Sequence, residues 1–113
     1  MANTFKMATK SSVVTDAVSS ANSNVLTAGG SSTLILLSVL VSNKGSNTAN
    51  VDAYVVTNSG DDVYLLKGVP IPAGSSLELI SGSKIIMEAS DILRIRADTA
   101  TTLDATVSYL DQT

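Results

Sequence analysis

The sequence contains no cysteine, no histidine and no tryptophan, and its aromatic residues are one phenylalanine and three tyrosines among 113 residues. Without cysteine the chain offers no thiolate to zinc or to an iron–sulfur cluster. Without histidine it lacks the usual base for a serine nucleophile, and no G-x-S-x-G turn is present. These absences exclude thiol and Ser-His catalysis, so we expect no catalytic residues of either kind.

Charge is also sparse, at 15% of residues with a formal net charge of −3. A nucleic-acid partner needs clustered lysine and arginine to neutralise phosphates, so none is expected. The most apolar run, residues 33–41, is far shorter than the roughly 20 residues of a membrane span. The first residues lack the apolar segment of a signal peptide. We therefore expect a chain that neither enters a membrane nor leaves the cell by the usual secretory route.

Acidic residues give little indication of chemistry. Glu78 and Glu88 are the only glutamates, and each is predicted on the outward side of a strand. Residues 57–62, TNSGDD, carry oxygen donors, but their spacing differs from that of a calcium loop and is typical of a hairpin turn. The sequence therefore predicts a non-enzymatic protein with no metal site, no cofactor and no small-molecule substrate.

What the sequence does contain is a succession of short alternating segments separated by Gly, Ser, Asn and Asp. In residues 92–97, ILRIRA, apolar and charged side chains alternate. Residues 32–43 are rich in branched apolar side chains, which predicts a central strand covered on both faces. Seven to eight such segments without a helical period predict an all-β fold, an antiparallel β-sandwich or jelly roll that spans residues 13–113.

The two prolines of the chain lie close together in the segment GVPIPAGSS. Pro70 and Pro72 fix φ and remove two donors from any strand ladder. The strand that holds them is therefore predicted to end there or to lie at a sheet edge. We expect Ala73, Gly74 and Ser75 to turn the chain, and the prolines to protect the edge against pairing with other strands.

Residues 1–12 lack a sustained pattern and are predicted to form an N-terminal arm. One interpretation is a loose terminus, since most chain ends are poorly ordered. The other is an arm that docks Phe5 and Met7 on a neighbouring subunit. The sequence does not decide between the two.

Arg94 and Arg96 are the only arginines, and they are predicted on the same face of one strand. They could be solvated residues that face acidic partners across the sheet, such as Asp104. They could also be interface anchors, because arginine is enriched at protein–protein contacts. The candidate assembly contacts are thus Phe5, Met7, Pro70, Pro72, Arg94 and Arg96.

The order of features in residues 33–113 resembles small virion structural proteins of tailed bacteriophages, particularly those of marine and cyanobacterial phages. The similarity lies in a strand that ends in a PIPAG turn, then SLELI, then KIIMEASDIL, then a closing LDATVSYL strand. The chain departs from that pattern at Ser90, where a glycine is expected before the aspartate. A serine there predicts a turn without positive φ.

The resemblance implies a non-enzymatic component of a tailed phage virion that is assembled in the host cytoplasm. The first hypothesis is a capsid decoration (cement) protein. It would form a homo-oligomer, expected to be a trimer, and would contact the major capsid protein or another virion protein. A neck, tail or fibre component is the alternative. A receptor- or carbohydrate-binding module is a further one, for which Tyr54 and Tyr64 would supply exposed rings.

Overall fold

The architecture comes from a computed structural model, which describes residues 3–11, 24–80, 84–98 and 103–112. These residues form nine strands and no helix. The strands are β1 (Asn3–Lys10), β2 (Asn24–Thr27), β3 (Thr33–Asn43), β4 (Ala49–Val56), β5 (Asp62–Ile71), β6 (Ser76–Glu78), β7 (Ile85–Met87), β8 (Ile92–Ala97) and β9 (Leu103–Gln112). The described ranges hold no helix long and apolar enough to cross a membrane.

The strands form two antiparallel sheets. Sheet A has the order β1-β9-β3-β6, and β7 also pairs with β3, whereas sheet B has the order β2-β8-β4-β5. The predicted all-β fold, with two antiparallel sheets as in a β-sandwich, is confirmed. The described residues hold nine strands instead of the predicted seven to eight.

The core follows from period-two alternation along the strands. In β8 the side chains of Leu93 and Ile95 are fully buried, whereas those of Arg94 and Arg96 lie on the opposite side of sheet B and are half-buried. Burial of one such aliphatic side chain contributes about 1.5–3 kcal/mol. The alternating apolar positions therefore fix which face of each strand turns inward.

A bulge in β3 keeps its apolar side chains directed inward along its whole length. Leu34 and Leu36 are buried, and the pairing with β9 shifts between Leu36 and Ser38, after which Val39 and Val41 are buried. Without the extra residue, the second half of the strand would turn its other side to the core. The expectation that residues 32–43 are covered on both faces is wrong within the described chain, because outward residues such as Leu40 remain partly exposed.

The predicted end and edge position of the proline-bearing strand are confirmed. Among the described residues β5 pairs only with β4 and is an edge strand of sheet B, and the exposed Pro70 lies near its end. Pro72 follows the strand and begins a turn that the hydrogen bond from Ser75 N to Pro72 O closes at 3.1 Å. Gly74 has a φ of 74°, which a glycine adopts without the cost that a Cβ would add.

Residues 3–10 form β1 at the edge of sheet A, where an arm had been predicted. Every residue of β1 has a partner in β9, from Asn3 opposite Gln112 to Lys10 opposite Ala105. This backbone ladder holds the segment although its sequence has no alternating apolar pattern. The predicted domain boundary between residues 12 and 13 lies outside the described residues and stays a prediction.

The prediction for Ser90 is wrong, because its φ is 69°. The hydrogen bond from Asp91 N to Glu88 O, at 3.0 Å, closes the turn. Ser90 N donates to Ala28 O at 3.1 Å, and Asp91 Oδ1 accepts from Asn58 N at 3.0 Å. These bonds to two other segments offset the roughly 1–2 kcal/mol that a non-glycine residue loses in the left-handed region.

Candidate functional site

Four apolar side chains line up across the outer face of sheet A, and we call them the outer row. They are Phe5 of β1, Leu110 of β9, Ile35 of β3 and Ile86 of β7. Phe5 is the register partner of Leu110, Leu110 of Ile35, and Ile35 of Ile86. Because directly opposed residues of antiparallel strands point to the same face, the four side chains form one continuous line.

The alternation of each strand shows that the outer row points away from the core. Leu34 and Leu36, which flank Ile35, are buried inward, and so is Met87 beside Ile86. The ends of the row are the most exposed, at 76% for Phe5 and 60% for Ile86. Its two central members are half-buried. With strands about 4.8 Å apart, four strands give an apolar line on the order of 15–20 Å long.

Along β1, β9 and β3 uncharged polar groups border the outer row on both sides, and beside Ile86 the border is the exposed Lys84 and Glu88. On one side Ser108 pairs with Met7 and with Ser38, and Met7 is itself 65% exposed. On the other side Gln112 pairs with both Asn3 and Thr33. An apolar centre within a polar border is the usual anatomy of a protein–protein contact.

Glu78 is the acidic residue nearest to the serines of this border, and its carboxylate is fully engaged. Ser38 Oγ donates to Oε1 at 2.5 Å, while Val39 N and Ile80 N donate to Oε2 at 2.8 and 3.2 Å. Desolvation alone would raise the pKa of the Glu78 carboxyl, but the hydrogen bonds from Ser38, Val39 and Ile80 outweigh it and lower the pKa below its ordinary value. β6 and β7 pair with different parts of β3, and the Glu78 carboxylate bonds to the residues of β3 that lie between those parts.

We expect Glu78→Gln to remove a pH-dependent contribution to stability. Since the folded-state pKa is lowered, the contribution is complete above the unfolded value of about 4.5 and is lost as pH falls through the folded value. As the pH falls below about 4.5, the wild type should therefore lose stability more steeply than the variant. At pH 7 the variant should be about 1 kcal/mol less stable, at the low end for a charged hydrogen bond because the residue is exposed.

Urea unfolding at pH 7 and at steps down to pH 3 measures this difference. Glu88→Gln, at the other glutamate of the chain, is the matched control and should keep the wild-type pH dependence. If Glu78→Gln and the wild type lose stability in parallel, the engaged carboxylate has no part in the acid response.

The outer face of sheet B carries the two arginines, and both lie in polar networks. Arg96 Nε is 2.9 Å from Asp52 Oδ2, and Asp52 Oδ1 accepts the Gly68 backbone N–H at 2.7 Å. Arg94 Nε donates to Asn24 Oδ1 at 2.6 Å. The hydrogen bond to Asp52 raises the pKa of the Arg96 guanidinium, so it stays charged.

Asp104, predicted as an acidic partner of these arginines, lies in the other sheet. It belongs to β9, and its Oδ1 is 2.9 Å from Lys44 Nζ. The acidic neighbour of Arg96 is Asp52 on β4, its direct register partner. The error arose because pairing between strands cannot be read from one sequence.

A shallow cleft of about 310 Å³ opens beside the Arg96–Asp52 pair. It is lined by Asn50, Asp52, Gly68, Arg96, Ala97 and Asp98. Asp98 Oδ1 accepts the Asn50 backbone N–H at 2.9 Å, and Asp52 is engaged by Arg96 and Gly68. The charged groups of the cleft thus bond to each other and to the backbone. No group of three or more potential metal-ligating side chains occurs in the part of the chain that the structure describes.

The tyrosines predicted as exposed rings are placed differently. Tyr54 is fully buried although it lies on the outward side of β4, and its ring centroid is 5.0 Å from that of Tyr64. Lys67 Nζ lies 5.2 Å from the Tyr64 ring. A ring with no exposed surface cannot stack on a ligand, so Tyr54 is wrong as a recognition residue in this structure.

The six predicted contact residues fall in different places. Phe5 and Met7 lie together on the outer face of sheet A, whereas Arg94 and Arg96 lie on that of sheet B, and the prolines lie at the end of β5. Their role in assembly stays a prediction. Sequence reasoning missed Ile35, Ile86 and Leu110. The run TLILLSVLV could have indicated an apolar outer face, because it has more apolar residues than one buried face of a strand requires.

No family model matches this chain, and comparisons with curated proteins and with solved structures found no match either.

Proposed function

We propose that this protein is a non-enzymatic assembly protein that packs the outer face of sheet A against another protein. The observation that carries the proposal is the outer row, which leaves Phe5 and Ile86 mostly in water in the isolated chain. Exposed contiguous apolar surface with a polar border marks interaction sites on soluble proteins. Removing it from water releases about 25 cal/mol per Å² of apolar area.

The rigidity of the face supports this role. Three of its four strands, β9, β3 and β7, turn their other sides into the buried core, and β1 is held by its unbroken ladder with β9, so the geometry of the row is fixed before binding. A preformed surface loses little conformational freedom on association, and more of the contact energy remains as affinity. Neither arginine belongs to the outer row, because both lie on β8 of sheet B.

The specific form we propose is a structural component of a tailed phage virion, with capsid decoration first and a neck, tail or fibre component as the alternative. This form rests on the resemblance in residues 33–113. A decoration protein repeated around a shell multiplies a modest contact into a large gain in particle stability. Its partner would be the major capsid protein or another virion protein, and a trimer is the assembly that the resemblance implies.

The test is the number of copies in purified particles, measured by quantitative mass spectrometry against the major capsid protein. A simple fraction of the capsid protein supports decoration, and a few copies that match tail or portal symmetry support the alternative. Absence from particles would overturn the virion proposal.

A variant in the outer row tests the surface itself. Ile86→Ser should lower incorporation about tenfold, because loss of one buried aliphatic contact weakens binding by roughly 1.4 kcal/mol or more. Val63→Ser is the matched control, since Val63 is 51% exposed on β5 of the other sheet. Equal incorporation of both variants would show that the outer row is not the contact.

A further inference from the structure

The sheet edges among the described residues differ in how well they resist pairing with another strand. β5 carries Pro70 and two register shifts, and β2 is four residues long with a register shift. β6 and β7 have three residues each. Prolines, bulges and short length are the usual protection of edges. Sheet A is therefore protected on its β6 and β7 side.

β1 has none of these three protections, and the only edge protection it carries is its two lysines, Lys6 and Lys10. It is eight residues long, contains neither proline nor glycine, and pairs with β9 without a register shift. Its only strand partner within the described ranges is β9, so among the described residues one side of its backbone has no strand beside it. Two of its side chains are large, apolar and mostly exposed, Phe5 at 76% and Met7 at 65%. A regular edge strand with apolar side chains is a template for strand addition.

We propose that β1 pairs antiparallel with β1 of a second copy across a two-fold axis at Met7, which joins two copies of sheet A into one continuous sheet. The inference deepens the proposed assembly function and rests on it, but it puts a two-fold pair in place of the trimer that the resemblance implies. An antiparallel pair of identical strands is self-complementary, and it closes at two copies.

Charge and the length of the paired segment together select the register, since a pairing centred on Phe5 would join fewer residues of β1. With Met7 opposite Met7 of the second copy, Lys6 lies opposite Ala8 and Lys10 opposite Thr4, so no lysine faces a lysine. A register centred one residue earlier would place Lys6 opposite Lys6, and like charges directly opposed destabilise a sheet. On the outer face the chosen register brings Phe5 opposite Thr9, which extends the outer row toward that of the second copy.

A buried acceptor near this edge supports the same register. Asp111 Oδ2 is 3.1 Å from Lys6 Nζ, but Oδ1 is buried and accepts no hydrogen bond from the described residues. Thr4 is the register partner of Asp111. Lys10 of the second copy, opposite Thr4, would lie on the same side of the sheet as Asp111 and about 10 Å from it between Cα positions. Lysine and aspartate side chains together span that distance, and the lysine reaches Oδ1 once the side chains that cover this oxygen in the single chain move aside.

Because the chain has no cysteine, single cysteine variants test the axis directly. Met7→Cys should give a covalent dimer under mild oxidation, since directly opposed Cβ atoms lie about 4.5–5.5 Å apart. Phe5→Cys should cross-link at least tenfold more slowly, because the two copies of position 5 are about 14 Å apart along the strands. Val63→Cys, on the proline-bearing edge β5, is the control for random collision. Cross-linking at position 5 or 63 as fast as at position 7 would overturn the proposed axis.

Sedimentation equilibrium of the unmodified chain gives the second measurement. We expect a dimer whose dissociation constant rises at least tenfold in Met7→Lys and is unchanged in Val63→Lys. A wild-type monomer or trimer would overturn the two-fold pairing. These results are separate from the assembly proposal, which is judged by incorporation of Ile86→Ser into particles, since Ile86 lies on β7, away from the β1 edge.

Discussion

Replacing Tyr54 with alanine is expected to lower the free energy of unfolding by about 4 kcal/mol, as for other large aromatic side chains removed from a core. Tyr54 has no exposed surface, and it packs at 5.0 Å against the ring of Tyr64. Arg94 hydrogen-bonds to its side chain. The alanine variant would leave a cavity and would remove the aromatic contact. Urea unfolding followed by circular dichroism measures the change.

Tyr54→Phe separates the hydroxyl from the ring. Burial raises the pKa of Tyr54 above its ordinary value of 10.0, and the charge and hydrogen bond of Arg94 only partly oppose this. A raised folded-state pKa means that the contribution is complete below about pH 10 and is lost as pH rises through the folded value. Tyr54→Phe should therefore remove part of the alkaline loss of stability. At neutral pH it should cost only about 1 kcal/mol.

The half-buried partner Tyr64 is the matched control, and Tyr64→Ala should cost clearly less than Tyr54→Ala. This comparison also bears on function. If Tyr54→Ala kept wild-type stability but abolished binding to glycans or cells, Tyr54 would be a recognition residue, contrary to its burial. We expect loss of stability alone.

The alternating segments predicted the fold because burial on one face of a strand leaves a period of two in the sequence. ILRIRA forms β8 with its aliphatic residues inward, and LDATVSYL forms most of β9. The position of Pro70 at an edge was also predictable, since proline removes a ladder donor wherever it lies. These predictions depend only on properties of single residues and their near neighbours.

The predictions that failed depend on contacts between distant segments. The bulge at Leu37 shifts the pairing of β3 with β9, and no local sequence pattern predicted it. The positive φ of Ser90 is held by hydrogen bonds to two other parts of the chain. Tyr54 alternates with inward apolar residues, which is the pattern of an outward and exposed side chain. It is nevertheless buried, and Tyr64 and Arg94 on the two neighbouring strands interact with it.

The outer row shows the same limit for the candidate site. Its four members lie far apart in the chain and meet only through the register of β1, β9, β3 and β7. Phe5 stands out because it is the only phenylalanine of the chain, but no pattern in the sequence connects it with Ile86. Because a single-residue slip would turn one strand's contribution inward, the row exists only in this register.

Asn43→Ala is expected to lower the free energy of unfolding by about 3 kcal/mol, because one buried and two partly buried backbone groups would lose their hydrogen-bond partner. Asn43 is 2% exposed. Its Nδ2 donates to Asn47 O at 2.9 Å and to Ile71 O at 2.8 Å, and its Oδ1 accepts from Gly45 N at 2.8 Å. The side chain thus ties the end of β3 in sheet A to the end of β5 in sheet B. Thermal and urea unfolding measure the loss.

The backbone of Asn43 also links the end of β3 to the turn after β5, and we call these backbone and side-chain bonds the junction. Together they hold the Asn43 side chain in one position. Asn43 N donates to Ser75 O at 2.8 Å, and Gly74 N donates to Asn43 O at 3.0 Å, so the turn after Pro72 is fixed to β3 as well. Asn47→Ala is the matched control and should change stability by no more than about 0.5 kcal/mol, since its side chain is exposed. Equal losses in the two variants would mean that the junction does not depend on the buried amide. A selective loss in Asn43→Ala would show that one polar side chain holds the two sheets in the relative position on which the core depends.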